Sequence, residues 1–99
     1  MITRIVKLSF EPDQIETFLD LFGQHALNMQ EVAGFVSLQL LRDEFEPNLF
    51  FTISVWRDTY YLEQYRQSEL FKTTWFKVKL MFRARPQVWT TQIIYDGKN

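Results

Sequence analysis

The 99-residue chain contains no cysteine and one histidine. Without cysteine it cannot form a disulfide, a thiolate metal site or a cysteine nucleophile, and an intracellular, cytoplasmic location fits this composition. With three glycines and three prolines, the chain shows no linker, low-complexity segment or internal repeat. We therefore predict a single domain over residues 1–99.

An excess of charge of either sign is also lacking. Lysine and arginine number 11 against 12 aspartate and glutamate, giving a net charge of −1, and no basic block occurs. Sequence-independent binding to nucleic acid is therefore not expected. No stretch approaches the roughly 20 apolar residues of a membrane span, and no positively charged start precedes an apolar run. We expect neither a nucleic-acid nor a membrane partner.

Aromatic residues are abundant, with ten Phe, four Tyr and three Trp. This is more than a core of this size usually holds, and extra aromatic surface typically serves a ligand pocket or a subunit interface. A chain this short removes only roughly 60 to 65% of its unfolded surface from water. A homodimer would add to that buried surface, so we expect one.

Hydrophobic periodicity predicts four strands, over residues 3–10, 35–43, 49–56 and 88–96. A long amphipathic helix is predicted over about 13–32, ending before Gly34. A short helix begins at Asp58 or Thr59 and ends at Arg66, and Ser68 can cap the next one. The order is β-α-β-β-α-β, so we predict an α+β, ferredoxin-like fold with a four-stranded antiparallel sheet.

Several short motifs occur at characteristic positions of this pattern. They are TISVW at 52–56, SELFK at 68–72, the Met29-x4-Gly34-Phe35 junction, and the single positions Tyr65, Trp75, Phe82, Pro86 and Trp89. Together they resemble the antibiotic biosynthesis monooxygenase (ABM) family. Most are apolar or turn residues, which carry the fold more than a reaction. The resemblance implies a dimeric α/β barrel, built from two four-stranded sheets, with a pocket between sheet and helices in each subunit.

The resemblance also implies a chemistry. Some ABM proteins oxidise polycyclic phenolic or anthrone-type molecules to quinones with dioxygen and without a cofactor. We therefore expect a monooxygenase that uses dioxygen, needs no cofactor or metal, and acts on a small phenolic or quinol molecule. The alternative is a non-catalytic dimeric module that binds a small molecule or is purely structural.

A related branch degrades haem with an Asn, a Trp and a His. Their positions fall here near Val6, at Tyr65 and at Trp75, and residues 1–10 hold no Asn. Without a histidine at that helix position no imidazole is available there to ligate iron. Haem degradation is therefore not expected.

Two residues are candidates for catalysis. Tyr65 can donate a hydrogen bond to a developing oxyanion. His25 lies at the edge of the apolar stripe of the first helix, where a base with a pKa near 6.5 suits abstraction of a phenolic proton. A half-solvated boundary histidine, bonded to its neighbours, is the commoner arrangement at such a position.

Four further residues are candidates for substrate binding. Trp56, Trp75 and Phe22 offer flat apolar surface to an aromatic ligand, although Trp75 also continues the core stripe of its helix. Arg4 puts a charge on the apolar face of the first strand, which calls for a carboxylate, a ligand or a strand end. Fraying at the terminus is the commonest such explanation.

Overall fold

The structure, a computed structural model, describes all residues from 1 to 99. Its strands are Ile2–Ser9 (β1), Phe35–Arg42 (β2), Leu49–Trp56 (β3) and Gln87–Gln92 (β4). Its helices are Ile15–Met29 (α1), Thr59–Arg66 (α2) and Glu69–Val78 (α3), with 3-10 turns at Pro12–Gln14 and Lys79–Met81. The predicted β-α-β-β-α-β order is confirmed, with the second helix divided in two.

The breaks between helices follow from local chemistry. The Asp58 side chain accepts a hydrogen bond from the backbone N–H of Tyr61 at 3.3 Å and caps α2. Ser68 Oγ accepts one from the N–H of Phe71 at 3.2 Å and caps α3. Side-chain acceptors at these positions satisfy amide groups that have no partner within the helix. Both predicted helix starts are therefore confirmed.

The four strands form one antiparallel sheet in the order β2-β3-β1-β4. β1 and β3 are central and pair from Ile2 with Trp56 to Ser9 with Leu49. Even-numbered residues of β1 pack against the helices, and odd-numbered residues lie on the opposite face, which no element of the chain covers. The sheet of the single chain is open and has two edges. The predicted four-stranded ferredoxin-like sheet is confirmed.

The core between sheet and helices consists of two apolar clusters. The larger contains Val6, Leu8, Phe10, Phe18, Phe50, Val78 and Met81, and the smaller contains Ile2, Met29, Trp56 and Leu62. Along β1, Arg4 lies between Ile2 of one cluster and Val6 of the other. The core is therefore interrupted at a charged residue.

Two predicted boundaries are wrong. The last strand was expected to reach residue 96, but β4 ends at Gln92, which pairs with Ile2. Because β1 begins at Ile2, no backbone partner remains beyond Gln92, and Ile94 and Tyr95 are 89% and 88% exposed. The first helix was expected to reach about residue 32, but α1 ends at Met29, and turns lead to Gly34 at φ 77°. No helix is long and apolar enough to cross a membrane.

Candidate functional site

A cavity of about 100 Å³ lies between the helix-facing side of the sheet and the three helices. Of its 16 lining residues, 11 are hydrophobic, and they come from both core clusters. All six candidate residues named from the sequence line this cavity, which are Arg4, Phe22, His25, Trp56, Tyr65 and Trp75. The fold therefore brings together side chains from β1, β3 and all three helices.

His25 joins the three helices through hydrogen bonds. Its Nε2 lies 2.6 Å from the hydroxyl of Tyr65 on α2, and its Nδ1 lies 3.1 Å from Oγ1 of Thr74 on α3. The residue is only 9% exposed. The hydrogen bonds to neighbours expected in the commoner arrangement are present, but its half-solvated position is wrong, because Tyr65 of α2 and Thr74 of α3 cover this side of α1.

Burial sets the protonation states of this pair. It lowers the pKa of His25 below the ordinary 6.5. It also raises the pKa of Tyr65 above its ordinary value, against a smaller opposing effect of the positive charge of Arg4. At neutral pH both groups are uncharged. A neutral imidazole has one donor and one acceptor nitrogen.

The phenol is the more acidic of the two hydroxyl partners of His25. We therefore assign the short 2.6 Å hydrogen bond as Tyr65 O–H donating to Nε2, with the Nδ1–H donating to Thr74 Oγ1. In this arrangement the Tyr65 oxygen keeps its acceptor capacity. It is free to take a proton from a molecule in the cavity.

Aromatic packing fixes the ring of Tyr65. It stacks on Trp56 with centroids 4.9 Å apart and meets the edge of Phe71 at 5.1 Å. Trp56 is fully buried, and its Nε1–H donates to Ser54 Oγ at 3.1 Å. Because both neighbours are themselves held in place, the Tyr65 hydroxyl has one defined position at the cavity wall.

Trp75 both packs against the core and lines the cavity. Its ring stacks on Phe71, with centroids 6.0 Å apart and an interplanar angle of 10°, and packs against the larger core cluster. It also lines the cavity, as does Phe22, whose ring lies 6.0 Å from that of Phe18. Core packing and ligand contact are therefore not exclusive at these positions.

Arg4 lies inside the molecule rather than at a frayed end. It pairs with Ser54 on β3 and Thr90 on β4, and it is 9% exposed. The expectation of a frayed terminus is therefore wrong, since two neighbouring strands pair with β1 along this stretch. Burial, with a smaller contribution from Arg66, lowers the pKa of Arg4.

Sequence reasoning missed Thr74. It lies on α3 three residues after Phe71, one before Trp75 and four before Val78, so helical spacing places it on the same inward stripe. A polar residue within an otherwise apolar stripe is the signal that marks it.

Elsewhere, no three His, Cys, Asp or Glu side chains come together in a group that could hold a metal ion.

A second, more polar cleft of about 350 Å³ lies between α1 and α3. Its walls include Gln24, Asn28 and Lys77, and it shares His25 and Thr74 with the inner cavity. The hydrogen-bonded pair of His25 and Thr74 therefore separates the inner cavity from this outer cleft. A proton on His25 has a short route to solvent through the cleft.

The residues of this chain match a known family model, described as antibiotic biosynthesis monooxygenase, over residues 1–75. The chain belongs to the antibiotic biosynthesis monooxygenase family. The matched residues include β1, α1, β3 and α2, which supply Arg4, His25, Trp56 and Tyr65 in that order. The match ends at Trp75. No curated protein matches the chain.

Solved structures of this fold resemble the ABM-family chain closely in shape. One antibiotic biosynthesis monooxygenase has a TM-score of 0.89 at 19% identity, covering 96% of this chain and 100% of that one. A conserved protein from Methanosarcina mazei Go1 has a TM-score of 0.87 at 16% identity, covering 93% and 92%. SnoaB, a cofactor-independent oxygenase from Streptomyces nogalater, has a TM-score of 0.86 at 18% identity, covering 96% and 94%. At these identities the likeness concerns the fold.

Proposed function

We propose that this ABM-family protein is a cofactor-independent monooxygenase that oxidises a small phenol or quinol with dioxygen and works as a homodimer. The observation that carries the proposal is the neutral Tyr65–His25 pair at the wall of an aromatic cavity. Family membership and the structural likeness to a cofactor-independent oxygenase support it.

The pair can serve as a base for a phenolic hydroxyl. The substrate gives its proton to the Tyr65 oxygen while Tyr65 gives its own to Nε2 of His25, which lies 2.6 Å away. His25 is neutral because burial lowers its pKa, so Nε2 is ready to accept. The outer cleft beside His25 and Thr74 then lets the proton leave.

The resulting phenolate is electron-rich and reduces dioxygen directly. One oxygen atom bonds to a ring carbon, and the other leaves as water with two hydrogens that come from the substrate. A phenol plus dioxygen thus gives a quinone plus water, and the substrate supplies all four electrons. The protein contributes position, a dry aromatic environment and proton transfer.

The proposal is tested by dioxygen uptake. Purified protein is given a series of single-ring hydroquinones and phenols, and uptake is followed with an oxygen electrode alongside quinone absorbance. We expect uptake proportional to protein concentration, one quinone per dioxygen from a phenol, one hydroxyquinone per dioxygen from a hydroquinone, no hydrogen peroxide, and no effect of added chelator. Dioxygen uptake no faster than in buffer for every compound contradicts the proposal and favours the non-catalytic binding or structural module.

A further inference from the structure

Arg4 is the one charged side chain that lines the inner cavity. It is nine-tenths buried, yet it makes no side-chain hydrogen bond and no ion pair, and the single ion pair of the chain joins Arg66 to Glu63 on the surface. A buried charge is costly unless it is paired and hydrogen-bonded. The folded chain therefore holds a buried cation without a direct partner, on which the carboxylate of Glu63 exerts only a minor attraction that is outweighed by burial.

The surroundings of Arg4 offer little compensation. The nearest aromatic partner, Phe71, has its ring centroid 6.0 Å from Cζ of Arg4, at the limit of a cation–π contact. The other titratable side chains on the cavity wall are His25 and Tyr65. Both are uncharged at neutral pH, because burial lowers the pKa of His25 and raises the pKa of Tyr65. The cavity therefore carries a net positive charge and no internal anion.

We propose that the inner cavity binds a single-ring organic anion whose charged oxygen faces the guanidinium of Arg4. This inference rests on the proposed function, because it specifies the class of substrate for the same cavity. Binding of the anion can nevertheless be measured without turnover. Arginine is the side chain best suited to a planar oxyanion, since its N–H groups donate in a fixed fork. The aromatic walls suit the ring.

The size of the cavity limits the ring system. Its volume is about 100 Å³, whereas an apolar protein cavity that holds benzene has about 150 Å³. One ring fits after small side-chain shifts, for example of half-buried Phe22 or Trp75. A fused polycyclic ligand would require the helices to separate from the sheet. The charge of Arg4 and the size of the cavity therefore favour a benzoate-like or phenolate-like ligand over a neutral polycyclic one.

The first experiment compares benzoate with its neutral isostere benzamide by calorimetry at neutral pH. The wild-type protein is compared with Arg4→Gln and with Arg57→Gln, which removes one positive charge at an exposed position. We expect wild type and Arg57→Gln to bind benzoate about tenfold to a hundredfold more tightly than benzamide. In Arg4→Gln that preference is lost.

Three outcomes would overturn the proposal. They are equal binding of benzoate and benzamide by wild type, retention of the preference in Arg4→Gln, and no binding of benzoate or 4-nitrophenol at all. Circular dichroism checks that each variant folds. Arg4→Lys, which keeps the charge but loses the planar fork, should retain part of the preference and covers the case in which Arg4→Gln fails to fold.

A second probe distinguishes a carboxylate from a phenolate at Arg4. The phenol and phenolate forms of 4-nitrophenol absorb at different wavelengths, so the bound protonation state is read directly. We expect wild type to bind the dye with a greater phenolate fraction than in free solution at the same pH, and Arg4→Gln to reverse this. If only benzoate shows the Arg4 dependence, the anion is a carboxylate. Arg4-dependent binding without dioxygen uptake would uphold this inference and contradict only the proposed oxidation.

Discussion

At the scale of single residues, the Tyr65 hydroxyl is the group through which the proposed base acts. Tyr65→Phe removes that hydroxyl but keeps the ring that stacks on Trp56 at 4.9 Å. Because Tyr65 is the hydrogen-bond partner of Nε2 of His25, we expect kcat for dioxygen uptake to fall by about a hundredfold or more. The matched control is Tyr60→Phe, at a side chain that is 63% exposed, which should leave kcat unchanged.

An equal kcat for Tyr65→Phe and wild type would show that the Tyr65 hydroxyl takes no part in the reaction. A rise in KM alone, with kcat retained, would assign Tyr65 to ligand binding rather than proton transfer. Circular dichroism and thermal melts of both variants show whether the fold is kept. The ring packing around Tyr65 is retained, so we expect the variant to fold, but Tm should fall by several degrees (~5 °C) because Nε2 of His25 loses its hydrogen-bond partner.

The buried imidazole of His25 gives the folding stability a pH dependence. Burial lowers its pKa below 6.5 in the folded state, so the unfolded chain takes up a proton at higher pH than the folded chain does. The stabilisation of the neutral form is therefore fully present above pH 6.5 and is lost as pH falls below it. We expect the free energy of unfolding, measured by urea denaturation, to decline as the pH falls from 7 to 5.

His25→Gln is the control for this pH dependence. It cannot titrate, so its unfolding free energy should change less over the same range, although it is less stable at pH 7 because the bonds to Tyr65 and Thr74 are altered. The same slope in the variant and in wild type would mean that other groups cause the decline.

The unpaired guanidinium of Arg4 is expected to lower the stability of the ligand-free protein. Arg4→Met keeps a flexible side chain of comparable length in the cavity wall and removes a buried charge without a partner. We expect a gain of about 1 kcal/mol or more, which for a domain of this size raises Tm by about 4 to 8 °C. Differential scanning calorimetry without ligand measures it. A lower Tm would show that Arg4 is already compensated in the folded chain.

At the scale of elements, the turn from α1 into β2 depends on Gly34. Its φ of 77° lies in the left-handed region, and an added Cβ would collide with the ring of Tyr61. Gly34→Ala should therefore lower the free energy of unfolding by about 2 kcal/mol or more. Gly23→Ala is the matched control, because a Cβ on this helical glycine meets nothing within 4 Å.

The control should stabilise the protein by about 0.5 to 1 kcal/mol, since alanine is a better helix former than glycine. Urea denaturation of the two variants beside wild type provides the comparison. If Gly34→Ala were as stable as wild type, the turn would have another conformation than the one described. One added methyl group should lower the free energy of unfolding at Gly34 and raise it at Gly23. This difference in sign separates an effect of backbone conformation from a general effect of side-chain size.

Elements with local signals could be predicted well from the sequence. Asp58 and Ser68 mark the starts of α2 and α3 through side-chain caps that act within one turn. The predicted third strand, 49–56, coincides with β3. The end of β4 could not be read in the same way, because it is set by where β1 begins, some 90 residues away in the chain.

The candidate site shows the same division. Residue type and position along each element identified six cavity-lining residues. The burial of His25 and its bonds to Tyr65 and Thr74 arise from how three helices pack, so a single sequence gave no means to see them. The same holds for Arg4: alternation placed it on the apolar face of β1, but only the strand pairing shows that it is buried without an ion-pair partner.

At the scale of the whole molecule, the second face of the sheet remains uncovered. The odd-numbered positions of β3, together with Ile5 of β1, present an apolar strip there, which includes Phe51, Ile53 and Val55. Trp89 on β4 pairs with Ile5 and is 45% exposed. A contiguous apolar surface of this kind typically marks an interface. Packing two such sheets face to face would give the proposed dimer.

Ile53 lies near the middle of this strip, paired with Ile5 on one side and Gln39 on the other. For the 12.0 kDa chain, we expect light scattering at micromolar concentration to give about 24 kDa, the mass of two copies, for wild type and about 12 kDa for Ile53→Glu. Leu27→Glu places the same charge at a position of α1 that is 70% exposed and should leave the dimer intact. A 12 kDa wild type, or a dimeric Ile53→Glu that folds by circular dichroism, would rule out this face as the interface. Because the cavity lies on the helix-facing side of the sheet, opposite the face that carries Ile53, a folded monomeric Ile53→Glu should still bind benzoate.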